Sequence, residues 1–595
     1  MSVVMRCGWL VVPLLSVAAA SARGQELRYT LTGDVLSAVQ PDGQVVWKTR
    51  FADGGSALES SARGAVHVAS GYRVDGLGRV SSRCIGAAGP GGALLRAPAE
   101  PAWDPPYFFT PVPDPDWAYT HEPPLFDSAG NAWEFFTHWS DAQSPFISHL
   151  LLRRSNGHDG SWGEPETIHT QRFVSPAVTF DAQDRVTIAF RTMSSGQNVL
   201  KTLRYVPGTG WSAAVPIFQT SNYFQAVELA ADAGGNVLAL VDENMGTMPT
   251  VRGFRFDLEA GTWSDLGRLS PTNYEVLMPT LIANRSGDAV YLLYLVRNGG
   301  PSGLYYHRWN PATMTWSAAQ RIPGAEIAGF QVAGALTRIA SVIDDAGELT
   351  VLWENAIPGP YLQYVSRMVG GIWQPPVQLM SESAEYAATV DEFAGLSVNA
   401  TGDVFVAFTR FVDLTTRLYT ARFDHAAGQW LPTESPYNLN CGYQTRSRIS
   451  FYQHRRAVCT ALGMQGGVIQ LTSLLFDGSL WLPAPLDIGG EEWCFLQDMA
   501  ADRGEVLLIF SPDTGPYGVN LGIRSTFLRD VHHGDMNCDG VVNFGDINPF
   551  VQVLSSPAAW QATYEDCNIL NADTNGDGEI NFADINPFVA LLMGS

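Results

Sequence analysis

FQAVELAADAGGNVLALVDENMGTMPTVRGFRFDLEAGTWSDLGRLSP, running from Phe224 to Pro271, decides the fold. It opens with the alternating run F-Q-A-V-E-L-A-A-D, turns at A-G-G-N and continues through the apolar run V-L-A-L-V. A loop leads to a third run, V-R-G-F-R-F. A turn at E-A-G-T then leads to a fourth, which starts at Trp263. Alternation with a period of two, punctuated by Gly, Asn and Asp, marks short antiparallel strands joined by tight turns.

The unit recurs on both sides of this copy. Its closing turn is followed by Trp162, Trp211, Trp263, Trp316, Trp373, Trp430 and Trp481, at intervals of 49, 52, 53, 57, 57 and 51 residues. Its opening turn recurs at Asp127, Asp181, Asp232, Asn284, Asp344, Asn399 and Asp502. Four strands per unit, repeated about seven times, predict a mainly β chain folded as a β-propeller. The tryptophans read as packing residues at the start of each outermost strand, with ligand stacking as the alternative. Leu27 to Arg96 is also β-rich but lacks the full unit, and the last unit, Met499 to Leu528, lacks its Trp-led strand. A ring closes without an exposed edge if an N-terminal strand completes the final blade. Seven or eight blades are therefore expected over residues 23–530, with Pro101 to Pro124 as a long loop on one face.

The unit resembles the sialidase-like, Asp-box-bearing propellers through F-D-L-E-A-G-T-W (Phe256 to Trp263) and F-D-H-A-A-G-Q-W (Phe423 to Trp430). The family's box has Gly two residues after its Asp. Here Gly lies four residues after Asp257 and Asp424, so the resemblance bears on fold and not on activity.

In a propeller blade the loop leading into the innermost strand and the loop after the second strand share one face. Three such leading loops carry a Tyr beside a polar residue: Asn222-Tyr223, Tyr274-Glu275 and Glu385-Tyr386. Aromatic faces suit a pyranose ring, and amides and carboxylates accept its hydroxyl protons, so these six are the candidate ligand-binding residues. Paired carboxylates are also what glycoside cleavage requires. A sialidase would further need clustered arginines, for which Arg172, Arg191 and Arg338 are available. No G-x-S-x-G elbow, H-E-x-x-H or phosphate-cradling Gly loop is present, and no catalytic residue is assigned.

Composition narrows the classes. At 595 residues the chain exceeds one compact core, and a net charge of −23 disfavours nucleic acid and anionic membrane as partners. Arg6, the apolar run Gly8 to Ala20 and Ala20-Ser21-Ala22 read as a signal peptide over residues 1–22, too short to span a bilayer. A secreted or cell-surface chain without a transmembrane anchor is expected. Six cysteines then remain: Cys84, Cys441, Cys459, Cys494, Cys538 and Cys567. An even number in an exported chain suggests disulfides. Cys538 with Cys567 is the leading pair, because the two bracket a loop and its helix. A pair among Cys441, Cys459 and Cys494 is the weaker reading, against free buried thiols.

That loop is one of two. D-M-N-C-D-G-V-V-N-F-G-D (Asp535 to Asp546) and D-T-N-G-D-G-E-I-N-F-A-D (Asp573 to Asp584) place oxygen side chains at positions 1, 3, 5, 9 and 12, with Gly at 6. This is the order of a twelve-residue calcium loop. Residues 531–595 hold seven Asp and two Glu and neither Lys nor Arg, so folding of this segment should depend on cations. After each loop comes D-I-N-P-F-V, with Pro549 and Pro587 in the first helical turn. Ile547, Phe550, Val551 and Leu554, matched by Ile585, Phe588, Val589 and Leu592, read as two faces that pack about a pseudo-twofold.

This arrangement resembles the type I dockerin. Its G-D-M-N-C-D-G form is also similar to dockerin-like tails on secreted planctomycete-type bacterial proteins. The resemblance implies a small all-α domain holding two Ca2+ ions. Asp535, Asn537, Asp539, Val541, Asn543 and Asp546 would bind the first, and Asp573, Asn575, Asp577, Glu579, Asn581 and Asp584 the second. Val541 and Glu579 would contribute backbone carbonyls. It also implies a cohesin-like or other docking partner. Positions 10 and 11 are Phe544-Gly545 and Phe582-Ala583, more apolar than the family's Ser-Thr, which points to another partner anchored by the two Phe. The alternative is a calcium-stapled C-terminal cap. The leading expectation is thus a non-catalytic, exported propeller that binds carbohydrate or protein and carries a docking module. A glycoside hydrolase in polysaccharide breakdown and a structural surface protein are the alternatives.

Overall fold

The computed structural model describes residues 123–594 apart from interspersed loop residues, and before residue 123 only strand segments. The undescribed residues include 326–338, 380–394, 439–446, 484–492 and 514–523, and shorter stretches such as 272–273, 540–541 and 576–579. Eight antiparallel sheets of four or five strands follow one another between Ala102 and Arg529 and form an eight-bladed propeller. The innermost strands of blades 1 to 4 are Ala118–His121 with Leu125–Phe126, Phe173–Phe180, Tyr223–Ala231 and Glu275–Ala283. Those of blades 5 to 8 are Ile339–Ile343, Gly395–Val398, Ser447–Gln453 and Trp493–Asp502.

The ring closes through blade 8. Its third strand, Arg524–Arg529, pairs with two N-terminal pieces, Ala102–Trp103 and Tyr107–Phe108, which supply the missing outer strand. The seam with blade 1 is sealed by Ala132 and Phe136 against Leu507, Ile509 and Phe527. Pro101 to Pro124, expected as a long loop, instead carries three short strands, two in blade 8 and one in blade 1. Pieces of two to four residues are shorter than the alternation needed to recognise a strand, and the prolines between them hid the pattern. Before the ring lie two further four-stranded sheets, within residues 15–50 and 58–83. The first includes Leu15–Ala20, paired with Glu26–Thr32, and residues 1–14 of the expected leader lie outside the described residues.

Blades cohere because successive sheets bury apolar faces against each other. Leu238, Leu240 and Val251 of blade 3 meet Val290, Leu292 and Tyr294 of blade 4, all essentially inaccessible. Each such side chain contributes about 1.5–3 kcal/mol on burial. The repeated Trp opens the outermost strand and packs on the preceding one: Trp263 pairs with Phe256, Trp316 with Trp309 and Trp430 with Phe423. The repeated Asp is structural as well. Asp232 Oδ1 accepts the N–H groups of Gly234 and Asn236, both at 3.0 Å, which closes the turn between first and second strands. Asp127, Asp181, Asn284, Asp344 and Asn399 close theirs in the same way. Side-chain oxygens that bond the backbone a few residues on are what Asp and Asn offer at such turns.

Three short helices end the chain: α1 (Ile547–Ser555), α2 (Pro557–Gln561) and α3 (Ile585–Gly594). Cys538 and Cys567 form a disulfide. Phe550 and Phe588 stack at the centre, centroids 4.0 Å apart and planes at 5°, with Val553, Trp560 and Ala572 around them. The helical faces differ from expectation. Ile547, Val551, Ile585 and Val589 are exposed, because α1 buries Phe550 and Val553 and leaves its 547–551 edge to solvent. Cys459 is a buried free thiol in the core of blades 6 and 7, and burial pushes its ionisation far up. The side chains of Cys84, Cys441 and Cys494 lie outside the described residues. No helix among the described residues is long and apolar enough to cross a membrane.

Candidate functional site

The innermost strands start at one end of the ring, and there blades 2 and 3 build a polar cluster. Tyr223 starts the innermost strand of blade 3, pairs with Asn244 at the end of the second strand and is 48% exposed. The Arg191 guanidinium, from the second strand of blade 2, stands 4.3 Å from the centre of its ring. From this stacked pair a chain of hydrogen bonds runs outward. Arg191 donates to Asn198 Oδ1 at 3.2 Å, and Asn198 donates to Asn222 O at 3.0 Å. Asn222 Nδ2 and Thr220 Oγ1 both donate to Glu243 Oε1, at 2.9 and 3.0 Å. Arg252 continues the chain, 3.6 Å from Glu243 and hydrogen-bonded to Asp265, a bond that holds its guanidinium protonation firmly.

The six residues proposed from sequence therefore fare differently. Asn222 and Tyr223 come together on the face, with the Tyr ring available and the Asn amide engaged by Glu243. Tyr274 is half-buried and packs on Tyr305, which stacks on Tyr294 in the core between blades 3 and 4. Glu275 is buried, at 8% exposure. Glu385, Tyr386, Arg172 and Arg338 lie outside the described residues. Asn198, Glu243 and Arg252 escaped the sequence reading, because they come from second and third strands and only folding brings them to the leading loop.

Two further features mark this end of the ring. The innermost strands of blades 2, 3 and 4 shift register at the same height, between Val174 and Ala177, Phe224 and Val227, and Leu277 and Thr280. Met278 takes a φ of 52° inside the last of these. Such bulges bend a strand and re-aim its side chains, and they recur beside binding sites. Below them Glu228 faces blade 4. Burial raises its carboxyl to about 7, a rise opposed by the N–H of Leu281 and reinforced by Asp242.

In the C-terminal module Asp546 and Asp584, at position 12 of the two loops, are completely buried. Asp546 accepts the N–H groups of Met536 at 2.7 Å, Asn537 at 3.0 Å and Asn543 at 2.8 Å. Asp584 repeats the pattern with Asn575 at 3.2 Å and Asn581 at 2.9 Å. Asn543 and Asn581 in turn cap the N–H groups of Gly545 and Ala583, so each loop is held in a closed turn. Asp535 and Asp573, at position 1, are 3% and 5% exposed, and Asn537 and Asp539 are bonded to each other. Val541, Asp577 and Glu579 lie outside the described residues. Among the described residues no three His, Cys, Asp or Glu converge in metal-binding geometry. The chemistry of the donors nevertheless fits a hard dication. Every donor is an oxygen, and four buried carboxylates sit in a segment without Lys or Arg.

No protein-family model matches the chain, and no curated protein matches it. Among solved structures the chain is similar to a polysaccharide lyase described as a PL25 ulvan lyase, with a TM-score of 0.39 and 11% identity over 65% of this chain and 97% of that one. It is also similar to an α-L-arabinanase of Penicillium chrysogenum, with a TM-score of 0.30 and 14% identity over 52% and 93% of the two chains. The β-propeller domain of the Trilobed protease of Pyrococcus furiosus overlaps with a TM-score of 0.33 and 11% identity, over 61% and 95%. Overlaps this loose carry no argument about what the chain acts on, and the functional reading rests on its own residues.

Proposed function

We propose that the chain is an exported, ligand-binding β-propeller attached to a partner or surface through its C-terminal dockerin-like module. One observation carries the attachment. Phe544 and Phe582, at position 10 of the two loops, are 79% and 77% exposed, each beside its own helix edge of Ile547 and Val551 or Ile585 and Val589. Large apolar side chains rarely stand so far into solvent in a paired arrangement unless another surface covers them. The partner is a protein with an apolar, cohesin-like or equivalent face. Two Ca2+ ions, held by the oxygens of the two loops, would neutralise the buried carboxylates and fix the Phe pair in place. The test is a pull-down from the source organism's envelope and medium with the full chain, followed by calorimetry on the protein captured. Phe544→Ser with Phe582→Ser should abolish binding, and calcium chelation should do the same. Binding that survives both would overturn the reading.

The propeller's ligand is assigned to the loop face around Tyr223, as a carbohydrate or peptide. The ring of Tyr223, backed by Arg191, offers a flat face beside fixed amides and a carboxylate, the combination that holds a sugar or a polar peptide. A glycan and peptide array probed with wild type and Tyr223→Ala tests this, and loss of the bound class in the variant is expected. A hydrolase acting on O-glycosyl bonds is the second reading: the Glu228 carboxyl, set against blade 4 with Asp242 near it, is raised by burial to about 7, the range of a general acid. Turnover of any glycan bound on the array, abolished by Glu228→Gln, would select it.

A further inference from the structure

Helix α2 has two sides. On one, Trp560 is completely buried in the module's core and its indole N–H donates to Met536 O at 3.1 Å. On the other, Pro557, Ala558, Gln561 and Ala562 line a cavity of about 1190 Å3 whose opposite wall is the propeller. That wall consists of the far ends of the innermost strands of blades 1 to 4, including Phe126, Val178, Leu229 and Leu281, and the turns that follow them. A direct contact lies on the other side of the ring. Arg456, just after the first turn of blade 7, meets His532 Nε2 at 2.9 Å.

The contacting residue His532 is welded to the module. Its N–H donates to Asn571 Oδ1 at 2.8 Å, and Asn571 Nδ2 donates to Asp535 O at 2.7 Å, with Asn571 wholly buried. The module therefore stands on the ring as one body, joined to it at Arg456 and facing it across the cavity, on the mouth opposite the Tyr223 face. Phe544 and Phe582 keep their exposure with the propeller in position, so the seat and the docking face are different surfaces.

We propose that the C-terminal module is a stopper seated on the turn-side mouth of the propeller channel. The segment Pro557 to Ala562 covers that mouth across the cavity and obstructs ligand entry from the turn side. A partner held at the Phe pair then stands at the opposite end of the ring from the ligand face. The seat uses neither the Phe pair nor any partner, so with calcium present to keep the module folded it stands or falls apart from the attachment proposed above.

The chemistry of the seat gives the test. The turns facing α2 carry Asp127, Asp181, Asp184, Asp232 and Asp345 against one cation, Arg285, and α2 and the residue after it answer with small uncharged side chains at Ala558 and Ala562. Hydroxyl-radical footprinting of the full, disulfide-bonded chain reads the accessibility of Phe126 and Leu281 in the wall. Ala558→Glu with Ala562→Glu places like charges against the turns, and labelling of both wall residues should rise severalfold. The corresponding Lys pair should keep wild-type protection. Arg456→Glu, which lies on the propeller and leaves the module's own fold untouched, should also raise labelling. Equal labelling of the wall in the wild type, the Glu pair and Arg456→Glu overturns the seat, as does a rise in the Lys pair equal to that in the Glu pair.

Discussion

The guanidinium of Arg285, in the first turn of blade 4, lies 3.5 Å from the carboxylate of Asp502, in the corresponding turn of blade 8, four blades round the ring. This pair bridges the channel at its turn-side end. Arg285 is 59% exposed and Asp502 12%, so solvent screens most of the attraction. Arg285→Ala is expected to cost less than about 1 kcal/mol in urea unfolding of the intact chain. A loss of several kcal/mol would show instead that the pair holds the ring in shape.

Arg367 makes the opposite case. It is 1% exposed and donates to Asp344 and Glu348, and also to Thr350 at 3.2 Å. The third strand of blade 5 is thereby bound to that blade's first turn. Removing the cation leaves Asp344 buried without it, so Arg367→Ala should cost about 3–5 kcal/mol. Arg367→Lys should recover only part, because one ammonium cannot serve three acceptors in the guanidinium's fixed geometry. Recovery to wild-type stability by Lys would refute the role given to the fork.

Glu228 makes stability depend on pH. Its folded carboxyl is raised to about 7 from an ordinary 4.5, so between these values the folded state binds a proton that the unfolded chain has released. The contribution is therefore neutral below about pH 4.5, turns unfavourable as pH rises, and is fully unfavourable above about pH 7. Glu228→Gln removes the ionisation. It should raise stability at pH 8 by about 1–3 kcal/mol and leave stability at pH 4 nearly unchanged. Denaturant midpoints measured at both values check this, and an equal gain at both would mean that packing, not charge, is responsible.

These cases show what the sequence could reveal. The Asp232 turn and the Trp263 strand start were legible because their chemistry is local: an oxygen that bonds two residues on, and an aromatic that follows a turn. The two twelve-residue loops, each closed by its last Asp, were legible for the same reason. Asn222-Tyr223 and Asn273-Tyr274 look alike in sequence, yet Tyr223 stands in solvent while Tyr274 packs on Tyr305. What separates them is a partner on a third strand some thirty residues downstream. The network from Arg191 to Asp265 and the seat of Pro557 to Ala562 likewise join residues distant along the chain. No local pattern announces such contacts.

The two loops make the most direct prediction. Asp546 and Asp584 are buried, and each gathers N–H groups from the start and the end of its own loop, so each is the knot of one loop and not of the other. If each loop holds one ion, the full chain should bind two Ca2+ by native mass spectrometry, and Asp546→Ala and Asp584→Ala should each bind one. Residues 531–595 lack Lys and Arg, so chelation leaves the carboxylates to repel each other. Proteolytic cleavage should then concentrate in this segment while the blades stay intact, because the Cys538–Cys567 disulfide ties only the first loop and its helix. Calcium at about a hundred times its dissociation constant should restore about 2.7 kcal/mol to the module for each ion bound. A wild-type chain that binds no calcium, or that resists proteolysis equally with and without it, would leave the loops as hydrogen-bonded turns and remove the metal from the proposed attachment.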